Sequence, residues 1–389
     1  MNIVYCTDIV YELSGVDVTT ITKANALANI PGNRVWIVVS DNPRSLELQL
    51  RNVSVIKADV HYYTNDDKGP LAALWDIFQK RKIHQRQLES LLEGINPDVV
   101  IASGVLMKYF LPSLKLSSRP VFIRELHSNR NYSLQSVSSW KGKLIPLVGY
   151  IYDYYWKIRQ YDQIVVLTEN EKQGWWKYWK KVVVIPNPIT HWSGRVSEGT
   201  AKVAITGGRL AKMKNFSGLI NIWSKVAQRH PDWTLQIWGV GETQKELESQ
   251  IKEKNLSEHV FLNGYTEEMG IEMSKASLFV FTSLSESFSL VTLEAMSVGI
   301  PAVVYNCPGG IRYVVKDNVT GFLVPMNDED AFVEKVCTLI EDEELRKKMG
   351  QAALKEAEKY RLDGIISRWM DLFKELVDKK RGQRNDHLV

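Results

Sequence analysis

LFVFTSLSESFSLVTLEAMSVGIP, residues 278–301, is the stretch of sequence that decides the fold. Its first five residues are an apolar run typical of a buried strand, a polar turn follows, and residues 290–298 have helical character. Another β-branched run, Ala302–Tyr305, begins directly after Pro301. A strand, a helix and a second strand in this order predict a βαβ unit with parallel strands.

The same alternation continues on both sides of this stretch, with helical periodicity between short apolar runs. Further helices are predicted at Thr19–Asn29, Leu71–Glu93, Phe216–Arg229, Gln244–Lys254, Leu290–Val298 and Asp328–Glu341. Before the polar segment at residues 191–200, strands are predicted at Ile3–Cys6, Val35–Ser40, Val53–Ile56, Val99–Ala102, Val121–Arg124, Ile164–Leu167 and Val182–Ile185. After it, they are predicted at Val203–Thr206, Thr234–Trp238, Val260–Leu262, Leu278–Thr282, Ala302–Tyr305 and Phe322–Val324.

The alternation therefore predicts an α/β protein with two doubly wound domains. We expect the first at residues 1–190, with a C-terminal helix at about 365–389 packing back on it, and the second at 191–364. Doubly wound sheets bind ligands at the carboxyl ends of their strands, so a cleft between the domains is the expected ligand site.

Composition excludes several other classes of protein. The chain has 389 residues, of which 44% are hydrophobic and 24% charged, which is unlike a disordered, collagen-like or disulfide-scaffold protein. Its three cysteines are far apart and form no Cys-x-x-Cys pair, so we expect reduced thiols in a cytoplasmic protein. No apolar run reaches the roughly 18 residues of a spanning helix, and the start has no basic region typical of a secretory signal.

Two acidic side chains and a helix start define a candidate binding site. Glu286 lies in the turn after a strand, and the backbone N–H groups of Phe288, Ser289 and Leu290 lie near a helix N-terminus, where anions bind. Glu294 is about one turn into that helix, facing the same pocket. Carboxylates beside an anion site fit a ligand with both hydroxyls and phosphates, such as a nucleotide-sugar. The alternative is that both are solvated helix charges.

A second segment adds positive charge. Gly207-Gly208-Arg209-Leu-Ala-Lys-Met-Lys214 follows the strand Val203–Thr206 and precedes a helix. Glycines at a strand end permit close backbone approach, and Arg209 and Lys214 can then contact a diphosphate.

The sequence predicts neither a metal nor a cofactor. Gly239-Val-Gly241 lacks the third glycine and the acidic ribose partner of a dinucleotide fingerprint. No His/Cys cluster has zinc spacing, and no phosphate-binding P-loop motif is present.

Together these segments resemble glycosyltransferase family four, whose members are retaining enzymes of GT-B fold. The resemblance extends over essentially the whole chain. It rests on Gly-Arg-Leu-x-x-x-Lys, the Glu-x7-Glu pair, Glu-Ala-Met-x-x-Gly-x-Pro, Val184-Ile-Pro-Asn-Pro-Ile189 and Thr320-Gly-Phe-Leu-Val324.

The resemblance implies a role for each matching residue of the second domain. Arg209 and Lys214 would hold the donor's diphosphate and stabilise its charge. Glu286 would accept hydrogen bonds from sugar hydroxyls, and Glu294 would bind the ribose. The remaining implied contacts are the backbone at Phe288, Ser289 and Leu290, and a base-binding loop at Gly264 and Tyr265.

In the first domain the resemblance implies two further residues. Leu13-Ser14-Gly15 matches the family's Gly-Gly loop with Ser14 in place of the first glycine, so Gly15 would contact phosphate. His127, in Glu125-Leu-His127, matches the family's active-site histidine and would orient the donor sugar or the acceptor. A buried structural histidine is the alternative.

The implied activity is that of a metal-independent, retaining hexosyltransferase that uses a nucleotide-diphosphate sugar, with UDP expected on family grounds. Front-face attack is the family's usual route, and the sequence leaves a covalent intermediate open. The alternatives are a GT-B nucleotide-sugar epimerase or hydrolase, and a non-catalytic partner subunit.

An aromatic, basic stretch suggests where the protein works. Residues 140–181 contain eleven Trp or Tyr and eight Lys or Arg, and residues 1–195 have a net charge of +7 against −3 for the remainder. Rings mixed with cations favour an anionic membrane surface. We therefore expect a peripheral protein on the inner face of the cytoplasmic membrane, acting on a glycan or lipid-linked acceptor of bacterial surface polysaccharide. No nucleic-acid module is expected, and the alternative is that half of these rings belong to the core.

Overall fold

A computed structural model describes residues 1–7, 15–39, 50–57, 70–103, 111–127 and 153–386. The chain divides into two compact units, Met1–Pro186 with Ile365–Val389, and Asn187–Gly364. Each unit contains its own parallel sheet. Within the described residues, no helix combines the length and apolar character needed to cross a membrane.

The first unit is built on a seven-stranded sheet in the order β3-β2-β1-β4-β5-β6-β7. All six strand pairings are parallel, which confirms the βαβ prediction for this half. The strands are β1 (Asn2–Thr7), β2 (Arg34–Val39), β3 (Val53–Lys57), β4 (Val99–Ala102), β5 (Val121–Glu125), β6 (Gln163–Val166) and β7 (Val182–Val184).

Helix α1 of the first unit begins at Gly15, four residues before the predicted start. The Thr19 and Thr20 hydroxyls donate to the carbonyls of Gly15 and Val16, at 2.6 and 2.9 Å, and support this first turn. The helices are α1 (Gly15–Ala28), α2 (Pro70–Ile95), α3 (Glu169–Gly174) and, at the end of the chain, α11 (Leu362–Asp386).

The core of the first unit lies between β1, β4 and β5 and the end of α2. Val4, Val100 and Phe122 are fully buried there against Leu88 and Leu92. Burying such side chains removes apolar surface from water at about 25 cal/mol per Å².

A second apolar cluster alters the interpretation of the aromatic stretch. Trp175 and Tyr178 are 4% and 9% exposed and pack against Ile158, Ile164 and Val182. The prediction of a membrane face over all of 140–181 is therefore wrong for these two rings, which are core.

The second unit has a six-stranded parallel sheet in the order β10-β9-β8-β11-β12-β13. Renumbered from its first strand, this is 3-2-1-4-5-6, the strand order of dinucleotide-binding folds, in which the order reverses beside the first strand. The strands are β8 (Val203–Gly207), β9 (Thr234–Trp238), β10 (Val260–Leu262), β11 (Leu278–Phe281), β12 (Ala302–Tyr305) and β13 (Gly321–Val324).

Helix α4 shows why these segments fold as helices. Leu219, Ile222, Trp223 and Val226 recur at three- and four-residue spacing and are fully buried, so one face packs on the sheet. The helices of this unit are α4 (Phe216–Arg229), α5 (Gln244–Glu253), α6 (Met269–Ser274), α7 (Leu290–Ser297), α8 (Ile311–Val314), α9 (Glu329–Glu341) and α10 (Glu343–Ala357).

Candidate active site

Two loops meet at the carboxyl ends of the neighbouring strands β8 and β11, at the point where the strand order reverses. The Thr282 hydroxyl donates to the Asn215 carbonyl at 2.8 Å, and the Leu284 N–H donates to the Met213 carbonyl at 2.9 Å. Asn215, with φ of 54°, then starts α4. These bonds fix the short 3₁₀ turn Lys212–Lys214 against the loop that carries Glu286.

Lys214 and Glu286 form an ion pair across these loops. Lys214 Nζ lies 2.5 Å from Glu286 Oε1, and the two side chains are 26% and 8% exposed. Lys214 Nζ also lies 5.3 Å from the centre of the Phe281 ring. The structure therefore brings together two residues that are 72 positions apart and that the sequence assigned to one site.

Glycines hold the turn of Glu286 against the loop after β12. The Gly310 N–H donates to the Glu286 carbonyl at 2.7 Å. A Cβ on Gly309, which has φ of 115°, would lie 1.8 Å from that same carbonyl oxygen. Sequence reasoning missed this support, although Pro308-Gly-Gly directly after a strand was a visible signal for a close backbone approach.

The nearby Cys307 is not a plausible nucleophile. It is 1% exposed. Burial, and then the charge of Glu286, raise the pKa of its thiol to about 12. The reactive form of cysteine is the thiolate, which such a pKa disfavours.

The start of α7 has the backbone geometry expected for anion binding. Ser289 has φ of 64°, and its hydroxyl lies 2.7 Å from that of Thr292. Within the described part of the chain, the N–H groups of Phe288, Ser289 and Leu290 donate to no acceptor. The Phe288 ring is buried, 5.7 Å from the ring of Tyr360, so only its backbone is available to a ligand.

Glu294 is held by two residues that the sequence did not single out. The Thr190 hydroxyl donates to Glu294 Oε1 at 2.7 Å, and His191 Nδ1 lies 2.8 Å from the same oxygen. The hydrogen bond to Glu294 is the main reason that the pKa of His191 is raised. Among the described residues, Glu294 Oε2 has no hydrogen bond, which leaves it available for a ribose hydroxyl.

Arg209 lies in the loop after β8, where backbones approach closely. A Cβ on Gly239, which has φ of 140°, would lie 1.9 Å from the Gly208 carbonyl oxygen. Arg209 itself is exposed, and its guanidinium makes no ion pair with any residue that the structure describes. An exposed guanidinium with no ion pair, in the same loop as Lys214, is suited to a phosphate ligand.

The predicted base-binding loop lies at the same edge of the sheet. The Gly264 carbonyl accepts a hydrogen bond from the Gly239 N–H at 2.6 Å. Gly264 has φ of 75°, and the adjacent Tyr265 ring is 56% exposed. An exposed ring is able to stack on a base. The assignment of Gly264 and Tyr265 to base binding stays a prediction.

The other two predicted residues lie in the first unit. Gly15 is the exposed first residue of α1, while Leu13 and Ser14 lie outside the described residues. His127 follows β5, and its side chain is 6% exposed, with Nε2 3.4 Å from Glu125 Oε2.

Part of the aromatic stretch is exposed, and we call Tyr155, Trp156, Lys172, Lys177 and Trp179 the aromatic–basic surface. Tyr155, Trp156 and Trp179 are 39%, 57% and 48% exposed. Lys172 Nζ lies 4.4 Å from the ring centre of Trp179, and Lys177 Nζ lies 4.5 Å from that of Tyr155. Of the other rings of this stretch, Tyr161 is 1% exposed in the core, and Trp140, Tyr150 and Tyr152 lie outside the described residues.

Comparisons with known proteins relate the chain to glycosyltransferases. Residues 193–356 match the family model "Glycosyl transferases group 1". An uncharacterized glycosyltransferase of Haemophilus influenzae is 30% identical over 211 residues, or 54% of this chain and 60% of that protein. The amylovoran biosynthesis glycosyltransferase AmsD of Erwinia amylovora is 29% identical over 220 residues, or 54% of this chain and 62% of that protein. The chain thus spans less than two thirds of either relative.

Solved structures share the fold over nearly the whole chain. HepE of Anabaena, in complex with UDP-glucose, has a TM-score of 0.73 and 18% identity, covering 96% of this chain and 100% of its own. The lipopolysaccharide outer core galactosyltransferase WaaB has a TM-score of 0.71 and 17% identity, covering 98% and 100%. The predicted α/β fold of GT-B type, with two Rossmann-like units, is therefore confirmed. Residues 193–356 are similar to glycosyl transferases group 1, and the chain resembles the GT-B glycosyltransferases of bacterial surface polysaccharides.

Proposed function

We propose that this protein is a metal-independent, retaining glycosyltransferase of bacterial surface polysaccharide biosynthesis. It transfers a hexose-type sugar from a UDP-sugar to a hydroxyl of a glycan or lipid-linked glycan. The donor binds the second unit, and the acceptor binds the first.

The observation that carries this proposal is the Lys214–Glu286 contact of 2.5 Å, with the exposed Arg209 in the same loop as Lys214. When a glycosidic bond to a diphosphate breaks, negative charge develops on the leaving phosphate, and preorganised cations stabilise it. Lys214 and Arg209 supply those cations, and the N–H groups of residues 288–290 add backbone donors. Glu286 accepts hydrogen bonds from the sugar hydroxyls and holds the sugar over the reacting centre.

Front-face attack is the retaining route that fits the residues available. No thiolate is available at Cys307, and the carboxylate of Glu286 is held by Lys214. In front-face attack, the leaving phosphate takes the proton of the acceptor hydroxyl, and no protein nucleophile is needed. Glu294, held by Thr190 and His191, binds the ribose of the donor.

Relatives support the classes of donor and acceptor. HepE is solved with UDP-glucose and the pneumococcal O-GlcNAc transferase GtfA with UDP and GlcNAc. A Campylobacter jejuni relative that is 34% identical over 146 residues acts on a diphospho-undecaprenol glycan. A UDP-sugar and a lipid-linked glycan are therefore the first substrates to test.

The test begins with the purified protein and a panel of nucleotide-sugars. We expect a UDP-sugar to raise the melting temperature, since a ligand that binds only the native state stabilises it by RT ln(1 + [L]/Kd). Substituting Arg209→Ala should nearly abolish transfer at an unchanged melting temperature without ligand. Release of UDP from the donor at full rate without acceptor would instead indicate a hydrolase or epimerase.

We also propose that the aromatic–basic surface binds an anionic membrane on the inner face of the cytoplasmic membrane. Its rings are exposed, and its lysines lie over them at 4.4 and 4.5 Å. Amphipathic rings favour the interface between headgroups and acyl chains, and lysines favour anionic lipid. Such binding would bring the first unit close to a lipid-linked acceptor.

Vesicle flotation tests this second part. The protein should float with vesicles that contain phosphatidylglycerol and remain unbound with phosphatidylcholine alone. The double variant Trp156→Ala/Trp179→Ala should lose flotation, whereas Phe261→Ala, a 37% exposed ring of the second unit, should retain it. Equal flotation of all three proteins would show that the membrane binds elsewhere than at this surface, and flotation of none would argue for a soluble acceptor.

A further inference from the structure

A buried group of charged and polar side chains lies in the first unit. Lys23 of α1 is fully buried, and its Nζ pairs with Glu125 Oε1 at the end of β5. Lys23 Nζ also lies 5.1 Å from the ring centre of Trp369 in α11 and 6.0 Å from that of Tyr5 in β1. Four elements of the unit therefore enclose one ion pair.

The Glu125 carboxyl of this pair is ionised despite its burial. Burial alone would raise its pKa, but the charge of Lys23 and the contact with His127 reverse that effect and lower it to about 2. Burial lowers the pKa of Lys23, and the charge of Glu125 opposes that change. A buried ion pair is often no more stable than well-packed apolar residues of similar volume, so stability alone is a weak reason for it.

The ion pair leaves one carboxylate oxygen directed at His127. Glu125 Oε2 has no hydrogen bond within the described residues and lies 3.4 Å from His127 Nε2. Both ring nitrogens of His127 are buried, and neither makes a hydrogen bond there. An ionised carboxylate can only accept, so the ring nitrogen that faces it is the one that carries the proton.

We propose that Glu125 and Lys23 are positioning residues that hold the His127 ring as the Nε2–H tautomer. The ring's Nδ1, buried in the unliganded protein, then carries no proton and accepts a hydrogen bond from a hydroxyl of the donor sugar or of the acceptor once that ligand reaches the ring. Lys23 fixes Oε1, so that Oε2 alone faces the imidazole. This inference rests on the proposed glycosyltransferase function for its consequence, but the tautomer itself is a property of the unliganded protein.

The tautomer is measured by NMR on the full chain labelled with ¹⁵N-histidine. His127→Gln assigns the His127 signals, and long-range ¹H–¹⁵N correlations distinguish Nε2–H from Nδ1–H. We expect the Nε2–H pattern at pH 7.5 and its loss in the double variant Lys23→Met/Glu125→Leu. That variant removes both charges together and leaves neither unpaired. An Nδ1–H or doubly protonated ring in the wild type, or an unchanged tautomer in the folded double variant, would overturn the proposal.

Two titrations identify the source of the hydroxyl. If the donor sugar provides it, UDP-sugar alone should shift the Nδ1 signal. If the acceptor provides it, the shift should follow addition of the acceptor glycan in the presence of UDP. No shift of Nδ1 with either ligand would overturn the assigned role of that nitrogen.

Kinetics separate positioning from a purely structural role. We expect Lys23→Met/Glu125→Leu to lower kcat about 10²-fold, because a misplaced group that contacts the substrate can cost that much in rate. Lys23→Met/Glu125→Gln, which retains an acceptor oxygen, should recover to within about tenfold of the wild type. In a His127→Ala background the first double variant should cause little further loss, because residues acting through one group are not additive.

A full additional 10²-fold loss in the His127→Ala background would show that the pair acts independently of His127 and would refute the proposal. Absence of any transfer by the wild type would refute the proposed function instead. In that case the NMR measurement alone decides the tautomer.

Discussion

Removing the charge of Lys214 should slow transfer while leaving the fold intact. Lys214→Met is the sharpest substitution, because it keeps an unbranched side chain of similar size and removes the ammonium group. In the structure that group lies 2.5 Å from Glu286 Oε1 and is partly exposed, so a donor phosphate can also reach it.

The expected magnitude follows from the geometry. At a contact of about 3 Å and an effective dielectric constant near 20, two unit charges interact by roughly 5.5 kcal/mol. If about half a charge develops on the phosphate oxygen in the transition state, the lost stabilisation is about 2.7 kcal/mol. That corresponds to a roughly 10²-fold lower kcat.

The assay is steady-state transfer with the donor identified by thermal shift. Lys212→Met is the matched control, since Lys212 is an exposed lysine of the same turn and pairs with no described residue. The control should retain wild-type kcat. A Lys214→Met rate within about threefold of the wild type would refute the assigned role.

A second variant tests whether the lower kcat of Lys214→Met comes from the unpaired Glu286 carboxylate instead of the missing ammonium group. Lys214→Met leaves the Glu286 carboxylate unpaired and only 8% exposed, and an unpaired buried charge is itself destabilising. Lys214→Met/Glu286→Gln removes that charge as well. We expect no recovery of kcat, and recovery to the wild-type rate would show that the missing cation had no role in catalysis.

Three further predictions test the remaining parts of the structure. Gly309→Ala should destabilise the protein by about 1–3 kcal/mol and weaken UDP binding, because Gly309 has a φ of 115°. Thermal unfolding and calorimetry measure the two effects. Gly364→Ala is the control and should have neither effect, because a Cβ at Gly364 has no atom within 4 Å. The hydrogen bond to Glu294 raises the pKa of His191, so the contribution of His191 to stability should be complete below about pH 6.5 and fall as pH rises through the raised pKa. The melting temperatures of the wild type and of His191→Gln should therefore converge as pH rises. A difference that does not shrink with rising pH would contradict this. Burial raises the pKa of Glu171 to about 7, so keeping this residue in the folded protein should cost stability progressively from about pH 4.5 to pH 7. Glu171→Gln should therefore have little effect on the melting temperature at pH 4 and raise it at pH 8.

Local sequence patterns were sufficient for most of the fold. The strand Val99–Ala102 and the helix Phe216–Arg229 have the predicted bounds, because each forms a continuous apolar run or a regular apolar face. Glu286 and Lys214 could be assigned to one site because both follow strands of a parallel sheet, whose carboxyl ends share one edge.

The supporting contacts could not be predicted in the same way. His191 reaches Glu294 across 103 positions, and Lys23 reaches Glu125 across 102. Lys23 lies on a helix whose pattern of polar and apolar residues is like that of a surface helix. The packing of Trp369 and the other enclosing elements over Lys23 makes it a buried residue. Such pairings depend on which elements pack together, and periodicity within one element carries no information about that.

Product analysis tests the central proposal most directly. The wild-type protein is incubated with an α-linked UDP-sugar and a lipid-linked glycan, UDP release is followed by chromatography, and the new linkage is determined by NMR. We predict that UDP release requires the acceptor and that the transferred sugar keeps the α configuration of the donor. Release of UDP and free sugar independent of the acceptor, or a β-linked product, would contradict a retaining glycosyltransferase.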